Sequence, residues 1–177
     1  MFDANPNQPG TLHFKLFGFP VSIHWMFWLI IGILGPIEGA TTPEGVQVWL
    51  IWVAVGLVSI LVHELGHATA FRKFGGQPRI LLYGMGGLAM AHGRFTREQS
   101  IIITLGGPVF GLVLGGAVWV IAKWIIPDEA FRSLNLSATI AFLLWINIAW
   151  SLLNLLPIYP LDGGHLLAHL MHGRHPE

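Results

Sequence analysis

The sequence predicts an all-α polytopic membrane protein of about four transmembrane helices, with a short membrane-embedded extended or hairpin element and a C-terminal helix. Three observations lead there. Hydrophobic residues make up 54% of the 177 residues and charged ones only 10%, against roughly 25% charged residues in soluble domains. Four apolar stretches are each long enough to cross a hydrocarbon core, which takes about 17–25 helical residues. Between the second and third lies an apolar, glycine-rich run too short to cross twice as helix. At this length, one domain spanning residues 1–177 is expected.

Residues 1–15 are expected as an N-terminal tail. Met1 to Pro9 is polar and proline-containing, without the basic start and short apolar core of a cleavable signal, so the first span, about Phe17 to Leu34, is expected to stay in the mature protein. The second runs from Val46 to about Phe71. At 1.5 Å per residue, His63 lies roughly 25 Å along a span that crosses a core about 30 Å thick, inside the bilayer but near one surface.

The run Pro78 to Ala91 suggests an extended or hairpin element at membrane depth, tolerated only where protein or a water-filled cavity satisfies its backbone. An unpaired edge there, at Gly86, Gly87 and Leu88, is positioned to add a substrate strand by β-augmentation; a re-entrant packing loop is the alternative.

The third span, about Ser100 to Ala122, carries Gly107, Gly111 and Gly115 at every fourth position. Such a stripe lets another helix approach closely, and Pro108 is expected to kink it. The fourth, about Leu136 to Leu156, sets Asn147, Ser151 and Asn154 on one face. Buried amides in lipid need partners, so Asn147 is read as a helix–helix hydrogen bond and Asn154 as part of the motif that follows it. A last helix carries His165, His169 and His172 on one face, read as a surface helix in preference to a second metal site. His24 is read as a helix-end residue meeting a backbone carbonyl, with a gating role near the metal as the alternative.

Nine basic and nine acidic residues give a formal net charge of zero, which offers nothing to nucleic acid. With an N-terminus inside, Lys15, Arg72, Lys73, Arg79, Arg94, Arg97 and Arg174 fall on the cytoplasmic side and only Lys123 and Arg132 outside, the bias expected of cytoplasmic loops. Cysteine is absent, so any metal must be held by His, Asp or Glu.

The chemistry centres on His63-Glu64-Leu65-Gly66-His67. Histidines four apart share a helix face and can hold one Zn²⁺, while the adjacent glutamate can take a proton from water. Ionisable groups are costly in hydrocarbon and so mark a functional site. Tetrahedral zinc then has room for one more protein ligand. Asp162, in Asn154-Leu155-Leu156-Pro157-Ile158-Tyr159-Pro160-Leu161-Asp162-Gly163-Gly164, returns at about the depth of His63, and Gly163 and Gly164 are expected to let the backbone bend around it.

In this combination the chain resembles the site-two protease family of intramembrane zinc metalloproteases, especially its compact bacterial members. The family pairs a His-Glu-x-x-His helix with a distant Asn-x-x-Pro followed by Leu-Asp-Gly. Gly106-Gly107-Pro108 and Phe19-Pro20-Val21-Ser22-Ile23-His24-Trp25 resemble two further family elements, so the likeness runs from about Leu16 to Leu167.

The resemblance implies one zinc per chain on His63, His67 and Asp162, Glu64 as general base, and Asn154 positioning the metal-site loop or the scissile carbonyl. It also implies transmembrane protein substrates and a bacterial cell membrane; the bias of Lys and Arg sets the site near the cytoplasmic face. Many relatives place an asparagine shortly after the Gly-Pro pair, where this chain has Val109, Phe110 and Gly111, and many continue into further spans beyond Gly164, so that truncation is one reading. A non-catalytic adaptor of the same fold and a metal transporter are the rival functions; the intact Glu64 argues against the first, the concentration of polar groups at one depth against the second.

Overall fold

The computed structural model of the chain describes residues 9–84 and 86–171. It opens with antiparallel strands β1 (Thr11–Leu16) and β2 (Phe19–His24). Phe17 and Gly18 between them both have positive φ, 50° and 81°, as the two-residue turn matched to hairpin twist requires. Helix α1 (Trp25–Ile33) follows directly, capped by His24, whose Nδ1 accepts the Met26 N–H at 3.3 Å. His24 thus ends a helix as expected, but serves an N–H and not a carbonyl.

The first expected span is therefore a strand and a short helix. Phe19, Val21 and Ile23 are buried in alternation, the period of a strand and not of a helix. The nine residues of α1 rise only about 14 Å, less than half a bilayer core. Residues 11–15, expected as tail, belong to β1.

Helix α2 (Pro43–Lys73) starts with Thr42 as cap, its Oγ1 accepting the Gly45 N–H at 3.1 Å. Trp49 and Trp52 on α2 donate their indole N–H groups to the carbonyls of Gly32 and Ile31, each at 2.8 Å. These bonds satisfy carbonyls that the end of α1 leaves without a helical partner.

The glycine-rich run forms the expected hairpin, β3 (Arg79–Tyr83) and β4 (Gly86–Met90). What the sequence did not suggest is that β3 pairs in parallel with β2, giving one four-stranded sheet in the order β1-β2-β3-β4. The fold is mostly helical with a small sheet, not all-α. Phe19, Val21, Ile23, Ile80 and Leu82 of the sheet pack with Phe27, Ile31 and Ala68 into the principal core, which fixes the sheet against the second half of α2.

Helix α3 (Arg97–Trp124) begins with a capping box between Thr96 and Gln99. Then α4 (Leu134–Leu144), a π-helical turn (Trp145–Trp150) and α5 (Ser151–Asn154) run on as one 21-residue apolar segment. After an irregular stretch, α6 (Asp162–Met171) packs on α3. Among the described residues three segments, α2, α3 and Leu134–Asn154, are long and apolar enough to cross a membrane, one fewer than expected. His172 and Arg174 lie outside the described residues.

Candidate metal centre

The centre is built where α2 and α3 almost touch. A Cβ on Gly66 would collide with the carbonyl of Gly106, and one on Gly106 would sit 2.7 Å from the carbonyl of Gly66. Only a glycine pair permits that approach, the close contact small residues provide in membranes. The next residue of α3, Gly107, lies against the imidazole edges of both His63 and His67. The stripe read from sequence as helix packing therefore has two uses: Gly107 leaves room for the imidazoles, while Gly111 and Gly115 receive Ser151 and Ile148 of the last span.

His63, Glu64 and His67 are all buried, at 8%, 5% and 8% exposure. His67 is held by α3: its Nδ1–H donates to the Ile103 carbonyl at 2.7 Å. The Gly107 N–H also comes within 3.3 Å of Nδ1 and would need the opposite tautomer, but the shorter contact, to an oxygen that can only accept, requires the proton on Nδ1. Nε2 of His67 is then a free lone pair, the form a metal takes.

Asp162 reaches the histidines from the first residue of α6. Its carboxylate lies 3.1 Å from His63 Nε2 and 3.4 Å from His67 Nε2, and the two Nε2 atoms are 3.2 Å apart. Among the described residues these three form a group able to hold a metal ion. Ligand atoms about 2.0–2.1 Å from a tetrahedral zinc stand about 3.3 Å from one another; the two Nε2 atoms match that edge, and Oδ2 of Asp162 faces His63 while its Oδ1 faces His67. When the imidazoles carry protons, with no metal between them, their hydrogen bonds and charge outweigh the upward push of burial and hold the Asp162 carboxyl at about 2. It is ionised at neutral pH, as a metal ligand must be.

Two contacts fix α6. Arg97 at the start of α3 donates from Nε to the His169 carbonyl at 2.9 Å and from Nη2 to that of Leu170 at 2.8 Å. At the other end, a Cβ on Gly163 would strike the carbonyls of Leu155 and Leu156, and one on Gly164 the backbone of Ile158 and Tyr159. Both glycines are in the first turn of α6. They serve close packing under the preceding loop, not the bend expected of them.

Glu64 faces β4. A Cβ on Gly87 would overlap its carboxylate, and the Ala89 backbone hydrogen-bonds to it. A cavity of about 1340 Å³ joins these parts; His63, Glu64, His67, Asp162, Asn154 and Gly86 to Leu88 all line it. Asn147 makes the helix–helix bond expected of it, donating to Ser59 Oγ at 2.8 Å. His24 lines the same cavity beside Tyr83, with ring centres 4.9 Å apart. His165 packs on Tyr159. With His172 outside the described residues, the second-metal alternative on α6 is left with His165 and His169, both on the cavity wall.

Sequence reasoning missed the Ile103 carbonyl and Arg97, neither of which carries a local signal. Gly107 had one, since a glycine next to the Pro108 of an apolar helix asks what lies against it.

The model of peptidase family M50 matches residues 121–177. The match covers the C-terminal third of the chain. It is 28% identical to a zinc metalloprotease of Methanocaldococcus jannaschii over 89% of this chain and 44% of that protein. With a putative zinc metalloprotease of Synechocystis the figures are 30%, 89% and 43%, and with the putative zinc metalloprotease Rip3 of Mycobacterium tuberculosis they are 30%, 92% and 44%. The chain thus spans less than half the length of these relatives. The solved site-2 protease from Methanocaldococcus jannaschii shares its fold, with a TM-score of 0.67 over 93% of this chain and 73% of that one at 24% identity. With three apolar helices of spanning length among the described residues, the chain is an integral membrane protein.

Proposed function

We propose that the chain is an intramembrane zinc metalloprotease, one domain over residues 1–177, that hydrolyses peptide bonds within or near transmembrane segments of other membrane proteins. The observation that carries this reading is the convergence of His63, His67 and Asp162, with one donor atom of each within 4.8 Å of the others, and the Glu64 carboxylate beside them at the end of a membrane span. The relatives named as zinc metalloproteases support it.

A zinc ion held by His63, His67 and Asp162 supplies a Lewis acid for the peptide carbonyl and lowers the pKa of water towards neutrality. Glu64 takes the proton of the attacking water and delivers it to the leaving amine. Ile103, through its carbonyl, keeps His67 in the metal-binding tautomer. Asn154 on the cavity wall holds the scissile carbonyl or the loop that leads to Asp162.

A helical peptide bond is shielded by its own hydrogen bonds, so the substrate must unwind before hydrolysis. β4 is an edge strand, and its Gly86, Gly87 and Leu88 pair with the unwound segment, whose backbone then runs alongside Glu64. The site faces the cytoplasm of a bacterial cell membrane: Lys15, Arg72, Lys73, Arg79, Arg94 and Arg97 cluster in the segments on its side, and Lys123 and Arg132 follow the far end of α3.

Co-expression of a tagged single-span membrane protein with wild-type chain or Glu64→Gln tests the mechanism. Loss of the proton acceptor should lower cleavage by at least about 10⁴, the upper end for general-base assistance, while zinc stays bound. Undiminished cleavage by zinc-loaded Glu64→Gln would overturn it, and an uncut complex formed equally by the wild type would favour the adaptor.

A further inference from the structure

Two buried polar atoms beside the centre have no hydrogen-bond partner among the described residues: Nδ1 of His63 and Oδ1 of Asn147. One can donate and the other only accepts. A histidine that binds metal through one ring nitrogen almost always donates the other N–H to an acceptor, which sets ring orientation and tautomer. His67 has the Ile103 carbonyl for this, and His63 has no such neighbour on α2 or α3.

Asn147 is oriented to serve. Both of its amide hydrogens are engaged, one by Ser59 Oγ at 2.8 Å and one by the Leu143 carbonyl at 2.9 Å. The carbonyl can only accept, so the nitrogen must face it, and the amide cannot be turned around. The side chain is 2% exposed and sits in the π-helical turn, a local widening often found at functional sites.

The helix register leaves room for one intervening water. Ser59, which holds Asn147, precedes His63 by four residues, about 6 Å along α2. On α3, Gly107 abuts His63 and Gly111 abuts the Asn147 backbone, again one turn apart. Two hydrogen bonds in series span about 5.6 Å. The wall there is polar, with Ser59, Thr104 and Ser151 on the same cavity, giving a buried water the two to four partners it needs.

We propose that Asn147 is a positioning residue for the metal centre: its Oδ1 accepts, through one buried water, the Nδ1 proton of His63, and so presents His63 Nε2 to the metal. This rests on the zinc reading above. The test is zinc affinity of the purified full-length chain by chelator competition, together with the visible spectrum of the Co²⁺-loaded form.

Asn147→Leu should weaken zinc about 10- to 100-fold, the usual cost of losing such a partner, and shift the Co²⁺ bands. Asn147→Asp keeps the acceptor and, as the protonated acid, donates to the Leu143 carbonyl in place of the amide; it should restore affinity and spectrum. Ser59→Ala removes the helix–helix bond but not the acceptor, and should stay within about threefold of wild type with an unshifted spectrum.

Wild-type affinity in Asn147→Leu overturns the proposal. So does a Ser59→Ala loss equal to it, which would make Asn147 a packing residue only, and so does failure of Asn147→Asp to restore the spectrum should the Leu variant not fold. A wild-type chain that binds no zinc overturns the zinc reading itself, and the proposal with it.

Discussion

Gly107→Ala adds one methyl group and should disable the centre. The new Cβ would stand 2.5 Å from His63 Nε2 and 2.7 Å from His63 Cδ2, and closer still to His67 Nε2. Carbon in ordinary contact sits at about 3.5 Å or more, so the two imidazoles or α3 itself must yield by about 1 Å. The rings have little freedom, because His67 is tied to Ile103 and α2 meets α3 in backbone contact at Gly66 and Gly106. Metal sites tolerate ligand displacements of about 0.2 Å, and a misplacement of about 1 Å costs about 10² in rate.

Zinc per chain, measured after dialysis against a weak chelator, should therefore fall from about one to a small fraction, and cleavage of a single-span substrate by about 10² or more. Gly116→Ala on the same helix is the control: nothing lies within 4 Å of its Cβ, and it should keep both metal and cleavage. Full zinc and full cleavage in Gly107→Ala would refute the argument that this glycine makes room for the imidazoles.

Asp162→Ala should lose zinc, leaving two protein ligands where a stable site needs three; retention of full metal in elemental analysis would place the third ligand elsewhere. Gly87→Val should abolish cleavage without loss of zinc, because its Cβ would overlap the Glu64 carboxylate and no metal ligand; comparing zinc content with cleavage separates the two effects, and equal loss of both would contradict it. A reporter fused after Glu177 should be active only in the cytoplasm, and one inserted near Pro43 only outside; the inverted pattern would move the site to the other face.

The parts of the site that were legible in sequence are those where chemistry itself carries the spacing. His63 and His67, four apart, share a helix face, and Asp162 stands out because it follows the last apolar span at about the depth of His63. The glycine-rich hairpin was readable for a similar reason, since no other element of that length fits at membrane depth. What was not legible depends on contacts far apart in sequence: the parallel pairing of β2 with β3, separated by α1 and α2, and the Ile103 carbonyl under His67, 36 residues away.

The misread first span shows why hydropathy alone fails near a site of this kind. Phe17 to Leu34 is apolar enough to span, but in lipid any strand must have its backbone hydrogen bonds met by other strands. β2 meets that condition only because β1 and β3 flank it. The local evidence was nevertheless present: Phe17-Gly18 forms a turn, and Phe19, Val21 and Ile23 alternate where a lipid-facing helix needs no period of two. The same sheet that breaks the span pattern carries β4 over Glu64. A transmembrane helix in place of β2 would leave β3 without its parallel neighbour, and the strand over Glu64 without the sheet that holds it there. The departure from a simple bundle of spans is thus the feature that brings an extended backbone to the acid at membrane depth.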